Sequence, residues 1–336
     1  MTSRLLSFLA FVIFPIGIFA GAAPGNVQPI ALDLPISCRL GENCWIANYV
    51  DVDPGADAKD FRCESRTYDG HDGIDLAIRD LSEMERGVPV QAVAPGVVRH
   101  VRDGAADAGL ASPASRETVA GRECGNGVII DHDEGWQTQY CHLKQHSLQV
   151  KIGQQVERQQ ILGQVGLSGQ TEFPHVHLAV RHDGHVIDPF TGQRQKAGCQ
   201  PDGRGLWRDP AIAYEEVALY HLGFASEAPE AETARQGRLR DTTVSADVDR
   251  LVLWVDMFGV QAKDQLRFRI VAPDGRMILD QITRIDRTQA RRFSFVGVRR
   301  QIDRWLPGTY YGEVRLQRGK GNTAFTRSAT AEVHIF

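Results

Sequence analysis

FPHVHLAV, at residues 173–180, places two histidines two positions apart in an otherwise apolar run. A run of this length and composition is typical of a β-strand, in which alternate side chains point to the same face. His175 and His177 are therefore expected on one face of one rigid element. Such a pair has three interpretations. Both histidines bind a metal ion, one binds the ion while the other acts as a base, or both are half-buried and hydrogen-bonded to the backbone.

Two upstream segments favour the metal site because they carry side chains of matching chemistry. GHDGIDL at residues 70–76 contains His71 and Asp75, and QYCHL at residues 139–143 contains His142. In hydrolytic zinc sites, three His, Asp or Glu side chains bind the ion and a fourth position is left for water. The three segments together therefore predict a catalytic metal centre.

The ligands of this centre can be assigned in part. His71 and Asp75 supply one nitrogen and one carboxylate oxygen, and Gly73 lets the backbone bend so that both reach one ion. Either His175 or His177 supplies the third ligand, and spacing alone does not choose between them. Zinc lowers the pKa of its bound water from about 16 toward ~7 and polarises the scissile carbonyl. The two remaining histidines can pass the proton to the leaving amine and stabilise the oxyanion.

The whole pattern resembles the lysostaphin-type (LytM-like) zinc metallopeptidases, which cut peptidoglycan peptides. The resemblance runs over residues 70–189 and rests on five residues in the order of that family: His71, Asp75, His142, His175 and His177. It implies that His71, Asp75 and His177 bind Zn²⁺. It also implies that His142 and His175 are catalytic and act around the metal-bound water and the tetrahedral intermediate.

The resemblance also implies an all-β fold, with an LytM-like antiparallel β catalytic domain of the duplicated hybrid motif type. Many short strands with Gly-rich turns independently favour the all-β class. Two departures from the family leave the specificity open. Glu-Phe-Pro at residues 172–174 replaces the usual small residues, and residues 103–123 form a long polar insertion where family members have loops that wall the substrate groove.

The N-terminus has the features of a cleavable secretory signal. Arg4 precedes an apolar run at residues 5–19, and small residues follow at 20–23. This predicts a signal peptide at residues 1–22 and export to the periplasm or the extracellular space. The run is short for a membrane span, so no stable membrane insertion is expected after cleavage; an uncleaved anchor is the alternative.

The six cysteines of an exported chain are expected to form disulfides. Six cysteines allow 15 pairings, which the sequence leaves open. The favoured set is Cys38–Cys44, which are close in sequence, Cys124–Cys141, on two arms of one predicted hairpin, and the remaining Cys63–Cys199. A role for Cys141 as zinc ligand or nucleophile is disfavoured. Neighbours in a strand point to opposite faces, so Cys141 is expected to point away from the site that His142 serves.

The chain divides into a catalytic domain with flanks at residues 23–228, a linker at 229–239 and a second domain at 240–336. Short alternating strands in the second domain predict an immunoglobulin-like β-sandwich. It holds 17 Lys and Arg against 11 Asp and Glu, a net charge of +6, in a chain of net charge −4. Because it has no catalytic cluster, this basic domain is expected to bind an anionic wall polymer, to dock on the catalytic domain, or to be a solvated surface. Nothing in it resembles a nucleic-acid module.

Three further polar residues lie near the five candidate site residues in the sequence. His132, at a strand end, is expected to be structural. Asp72 and Asp131 are candidates for a hydrogen bond to a ligand histidine, which such sites usually require.

The sequence therefore predicts a secreted zinc endopeptidase that hydrolyses peptide bonds in peptidoglycan cross-links or stems. Two alternatives stay open. One is a non-catalytic regulator of other wall hydrolases, which the full set of ligand residues disfavours. The other is a zinc peptidase that acts on proteins.

Overall fold

The computed structural model of the protein describes residues 29–110, 117–209, 212–239, 242–319 and 324–336. The signal peptide predicted at residues 1–22 lies outside the described residues. Within them the chain forms 18 strands and two short α-helices, which confirms the all-β prediction. Neither of these helices has the length and hydropathy that a membrane-spanning segment needs.

The N-terminal domain is built on one antiparallel sheet. Its strands are β1 (Trp45–Asn48), β2 (Ile74–Ala77), β3 (Pro89–Gln91), β4 (Gly96–Arg102), β5 (Asn126–Asp131), β6 (Trp136–Leu143), β7 (Gln155–Val156), β8 (Ile161–Gln164), β9 (His175–His182) and β10 (His185–Ile187). The sheet has the order β1-β2-β9-β6-β5-β4-β7, with β10 paired to β9, while β3 pairs with β8. Helix α1 (Leu81–Arg86) follows β2, and the Asp80 side chain caps it by accepting from the backbone N–H of Glu83 at 2.8 Å.

Side-chain alternation in β9 separates the core from the candidate site. Three of its residues pack into the main apolar core: Val176, Leu178 and Val180. His175 and His177 alternate with them and therefore lie on the opposite face of the sheet. The antiparallel register places Asp75 of β2 directly opposite His177, so both side chains stand on that face.

The C-terminal domain is a sandwich of two sheets. Its strands are β11 (Ala218–Ala225), β12 (Thr243–Val244), β13 (Arg250–Val260), β14 (Gln265–Val271), β15 (Met277–Arg284), β16 (Gln289–Arg299), β17 (Gly308–Arg318) and β18 (Phe325–Ile335). One sheet has the order β11-β13-β16 and the other β12-β18-β17-β14-β15. This division of consecutive strands between two sheets is that of immunoglobulin-like domains, which confirms the predicted architecture.

Segments on the N-terminal side of the predicted second domain contact its sheets. The sequence assigns residues 218–225 to the catalytic flank, but β11 pairs antiparallel with β13 and is a strand of the sandwich. The predicted linker at 229–239 contains helix α2 (Ala231–Arg235), and Arg235 donates to the buried Asp256 of β13 at 2.8 Å. The predicted boundaries at 228 and 240 followed local composition, whereas strand pairing joins residues far apart in the chain.

The two domains meet at a small apolar cluster beside the β1–β2 edge of the first sheet. Its buried residues come from β1 and β2 on one side and from β11 and β13 on the other: Trp45, Ala47, Ala77, Ala218, Tyr220 and Phe258. Phe173 packs against the same cluster. The sandwich therefore lies next to the segment that leads into β9.

All three predicted disulfides are present. The bonds join Cys38 to Cys44, Cys63 to Cys199 and Cys124 to Cys141. The second of them links parts of the chain that are 136 residues apart.

Candidate metal and catalytic site

Three side chains of the metal-ligand type meet at the β2–β9 pair. His71 Nε2 lies 3.2 Å from Asp75 Oδ1 and 3.1 Å from His177 Nδ1. His177 Nδ1 lies 3.0 Å from Asp75 Oδ1. Ligands at about 2.05 Å from a tetrahedral zinc ion have donor atoms about 3.3 Å apart. The spacing and the buried position of this cluster therefore fit one zinc ion.

Two of these side chains are oriented by groups on the neighbouring strand and loop. His71 Nδ1 lies 2.6 Å from the carbonyl oxygen of Tyr49 and donates to it, which directs Nε2 into the cluster. Asn48 Nδ2 donates to Asp75 Oδ2 at 2.8 Å. Since that bond occupies one carboxylate oxygen, Oδ1 is the atom that Asp75 presents to an ion.

Asp72 orients the third side chain. Its Oδ1 lies 3.2 Å from His177 Nε2, and its Oδ2 accepts from Arg181 Nη2 at 2.6 Å. A carboxylate on the far nitrogen of a ligand histidine fixes the tautomer and the direction of the ring. Of the two predicted candidates for this position, the structure selects Asp72. Asp131 instead accepts from Gln137 at 2.8 Å, at the far end of β5.

Gly73 allows the close approach of β2 and β9. A Cβ atom at this position would lie 2.6 Å from His177 Nε2 and 2.6 Å from the carbonyl oxygen of Leu178. The backbone φ of Gly73 is outside the left-handed region. The expectation that Gly73 serves a backbone bend is therefore wrong. This position needs glycine because a Cβ atom would collide with His177 and Leu178.

His142 reaches the cluster by leaving regular strand geometry, with a φ of 62°. Such a conformation in a non-glycine residue is strained and typical of functional positions. His142 Nδ1 lies 2.8 Å from the carbonyl oxygen of Ser168 and donates to it, which leaves Nε2 without a proton when the ring is neutral. Its ring centroid lies 4.7 Å from that of His175 and 6.1 Å from that of His177.

The positive φ of His142 also changes the argument about Cys141. The register pairs Cys141 with His177, so both residues are on one face of the sheet. The simple alternation that separated Cys141 from His142 fails here because the chain is not extended at His142. The disulfide to Cys124, and not the direction of the side chain, removes this sulfur as a thiolate ligand.

His175 lies between the cluster and the segment before β9. Its Nδ1 donates to the carbonyl oxygen of Phe173 at 2.9 Å and lies 3.1 Å from Thr171 Oγ1. Its Nε2 lies 3.2 Å from Asp75 Oδ1. The structure thus brings all five predicted site residues into one buried group.

The charges in this group are strongly coupled. Burial raises the pKa of the Asp75 carboxyl, but the neighbouring His71 and His175 outweigh it and hold that pKa well below its usual range. Burial lowers the pKa of His177, but the hydrogen bonds that its ring donates to the Asp72 and Asp75 carboxylates raise that pKa to about 9. Metal binding at this position must therefore release a proton from the cluster.

The pKa of His142 is shifted in the opposite direction from that of His177. Burial, together with the positive charges of His175 and His177, lowers its pKa well below the usual value. The imidazole is therefore neutral at pH 7, with Nδ1 protonated and Nε2 able to accept a proton.

A cavity of about 380 Å³ opens over these side chains. Asp75, His142 and His175 line it, together with Tyr68, whose ring centroid lies 4.4 Å from that of His71. Ala290 of β16 also lines it, so the sandwich domain reaches the cavity.

His132 does not belong to this site. Its Nδ1 donates to the carbonyl oxygen of Pro95 at 2.6 Å, and Nε2 lies 2.8 Å from Thr138 Oγ1. Both nitrogens bind groups of the sheet, in agreement with the structural role predicted for it. Further residues that contact the site were not predicted from the sequence, among them Asn48, Tyr49, Tyr68, Ser168 and Thr171. Tyr49 and Ser168 act through backbone carbonyls, which leave no trace in residue type.

Comparison with known proteins places the site region in a recognised group. Residues 69–189 match the model of peptidase family M23. Cell division protein DipM of Caulobacter vibrioides (strain NA1000 / CB15N) is 41% identical over 64 residues, which are 19% of this chain and 10% of DipM. DD-carboxypeptidase/endopeptidase Mpg of Neisseria meningitidis serogroup B (strain ATCC 13091 / M2091) is 30% identical over 123 residues, 36% of this chain and 22% of Mpg.

Among solved structures, the catalytic domain of the antimicrobial peptidase lysostaphin from Staphylococcus simulans is 22% identical, with a TM-score of 0.27. The match covers 36% of this chain and 77% of that one. The chain spans between about a tenth and a quarter of the length of the curated relatives that it matches. The family resemblance inferred from the five site residues is thus confirmed for residues 69–189.

Proposed function

From the premise that residues 69–189 belong to peptidase family M23, we propose that the protein is an exported zinc endopeptidase. Its substrates are peptide bonds in peptidoglycan cross-links or stems. The observation that carries the proposal is the buried cluster of His71, Asp75 and His177, beside a cavity that Asp75, His142 and His175 line.

His71 Nε2, Asp75 Oδ1 and His177 Nδ1 would hold the ion, because these three atoms lie within 3.2 Å of one another. Zinc bound there would polarise a peptide carbonyl and bring the pKa of a water near ~7. Two of these ligand side chains are already oriented: Asn48 fixes the Asp75 carboxylate and Asp72 fixes the His177 ring.

His142 is the proposed general base. Its Nδ1–H is committed to the Ser168 carbonyl, so Nε2 can take a proton from the attacking water and pass it to the leaving amine. His175 is the proposed stabiliser of the oxyanion: its ring lies next to that of His142, and in the doubly protonated ring Nδ1–H donates to the Phe173 carbonyl while Nε2–H can donate to the oxyanion.

The substrate and the location rest on separate support. The resemblance to lysostaphin-type enzymes and the similarity to a DD-carboxypeptidase/endopeptidase favour peptidoglycan peptides over proteins. Three disulfides favour an oxidising compartment, either the periplasm or the extracellular space. The predicted signal at residues 1–22 would deliver the chain there.

Digestion of purified peptidoglycan by the zinc-loaded protein tests the proposal, with muropeptides identified by mass spectrometry and casein digested in parallel. We expect peptide-bond cleavage of the wall that a chelator abolishes and added zinc restores. His177→Ala should lose both zinc and activity, whereas His142→Ala should keep zinc and lose activity.

Three results would contradict the proposal. Cleavage of casein alone would show a peptidase of proteins. Zinc binding with no cleavage, together with stimulation of a second wall hydrolase, would show a regulator. Normal turnover by His142→Ala would show that the base is another group.

A further inference from the structure

The sandwich domain takes part in forming the cavity over the catalytic histidines. Ala290, the second residue of β16, is exposed and lines this cavity together with His142 and His175. The two parts of the wall are therefore separated by more than 100 residues in sequence and belong to different domains. Nothing in the sequence of β16 marks it as part of a catalytic site.

A second contact joins the sandwich to His175 through Phe173. The Phe173 ring lies 4.6 Å from the His175 ring, and its carbonyl oxygen accepts from His175 Nδ1 at 2.9 Å. On its other side, the same ring lies 5.2 Å from Phe258 of β13, and the Arg291 guanidinium lies over it at 5.5 Å. Phe173 is thus held between the histidine and the sandwich.

The sandwich fixes Arg291 independently of the catalytic domain. Arg291 Nε and Nη2 donate to the Tyr220 hydroxyl at 2.8 Å and 2.6 Å, and Nη2 lies 3.3 Å from Asp256 Oδ2. Asp256 is fully buried and also binds Arg235. The guanidinium additionally lies over the rings of Tyr220 and Phe258. This group of rings and charges is a rigid surface on which Phe173 rests.

We propose that the sandwich domain is a working part of the active site, with two separate tasks. Phe258 and Arg291 are positioning residues, which hold Phe173 and thereby the direction of His175. Ala290 determines specificity, because its small side chain leaves room in the cavity for the substrate peptide. The proposal rests on the proposed endopeptidase function and adds which domain orients one catalytic group and limits the size of the substrate.

Arg291→Met tests the positioning task in the full-length, zinc-loaded protein, with a soluble peptide that the wild type cuts. Methionine keeps the apolar part of the side chain and removes the guanidinium, while Arg235 still compensates the Asp256 charge. We expect kcat to fall by about tenfold to a hundredfold with little change in KM, since a misdirected catalytic group slows chemistry more than binding. Arg291→Lys, which retains a cation over the Phe173 ring, should recover part of the loss.

Hydrogen exchange gives a readout that does not depend on activity. In Arg291→Met, the backbone amides of residues 171–173 and 175 should exchange faster than in the wild type, at unchanged zinc content; Pro174 has no amide hydrogen. The matched control is Arg304→Met, because Arg304 is an exposed sandwich arginine paired with Asp247 at 2.7 Å. Wild-type kcat and wild-type exchange in Arg291→Met would overturn the positioning role.

Ala290→Trp tests the specificity task. The indole would occupy part of the cavity that His142 and His175 also line, so we expect KM to rise several-fold or cleavage of cross-linked wall to cease while zinc content stays the same. Ala324→Trp is the control, since Ala324 is exposed, lies just before β18 and does not line the cavity. Wild-type KM in Ala290→Trp would overturn this role.

Failure of the proposed function gives a different pattern of results. If the zinc-loaded wild type cleaves neither peptidoglycan nor casein, the endopeptidase proposal is wrong. In that case the exchange comparison between Arg291→Met and Arg304→Met still decides whether the sandwich positions residues 171–175.

Discussion

Replacing Asp72 should weaken zinc binding by an amount that the structure allows us to bracket. Asp72 is not one of the proposed zinc ligands. Its Oδ1 accepts the hydrogen bond from His177 Nε2, at 3.2 Å, that fixes the direction of the His177 ring. Loss of such an orienting carboxylate costs about 10- to 100-fold in metal affinity, or about 1.4 to 2.7 kcal/mol. The Asp72 side chain is 40% exposed, so solvent screens its charge and places the effect of a charge loss at the lower end.

Two substitutions separate the charge from the hydrogen bond. Asp72→Asn keeps an oxygen acceptor for His177 Nε2 and loses the charge and the ion pair to Arg181, so we expect zinc to bind about tenfold more weakly. Asp72→Ala also loses the acceptor and should approach the hundredfold limit. The assay is competition for zinc with a chromophoric chelator at pH 7.5.

Asp131→Asn is the matched control, since Asp131 is a similarly exposed strand carboxylate bound to Gln137 away from the cluster. Its zinc affinity should equal that of the wild type. If Asp72→Ala also bound zinc as the wild type does, Asp72 would not orient a ligand, and His177 as third ligand would lose its support.

Three further predictions follow from other parts of the molecule. Burial raises the pKa of the Asp188 carboxyl to about 7, so the free energy of unfolding should fall by up to about 4 kcal/mol as pH rises from about 4 to about 7. Asp188→Asn should remove this part of the pH dependence in denaturant titrations. The same dependence of unfolding free energy on pH in both proteins would refute it. Removing the Cys63–Cys199 bond by serine substitution should cost about 5 kcal/mol against about 2 for Cys38–Cys44, because the loops close 136 and 6 residues; equal losses of stability would contradict this explanation. Gly73→Ala should lower zinc affinity by displacing His177, while Gly55→Ala, in an exposed loop, should leave it unchanged; an unaltered affinity in Gly73→Ala would show that the β2–β9 pair relaxes around the methyl group.

The sequence was sufficient to predict that five side chains come together, because their chemistry and order are properties of residue type; their roles as ligands and catalytic groups stay a prediction. A two-residue period places His175 and His177 on one face of the strand. In the structure, Asp75 is the cross-strand partner of His177 and lies on that same face. The disulfides were predictable for a similar reason, since Cys124 and Cys141 flank a hairpin that local pattern reveals.

Features that depend on long-range pairing or on local backbone conformation were not predictable. β11 belongs to the sandwich only through its pairing with β13, which composition alone does not reveal. The positive φ of His142 breaks the alternation that sequence reasoning assumes for Cys141. Asn48 reaches Asp75 because β1 pairs with β2, and Phe173 reaches Arg291 because two domains pack together.

Anomalous diffraction at the zinc absorption edge, from crystals of the zinc-loaded protein, tests the central claim most directly. The account predicts a single strong peak about 2.0 to 2.2 Å from His71 Nε2, Asp75 Oδ1 and His177 Nδ1, with His142 Nε2 outside bonding distance. A peak bound by His175 in place of His177, or no peak at these three atoms, would contradict it.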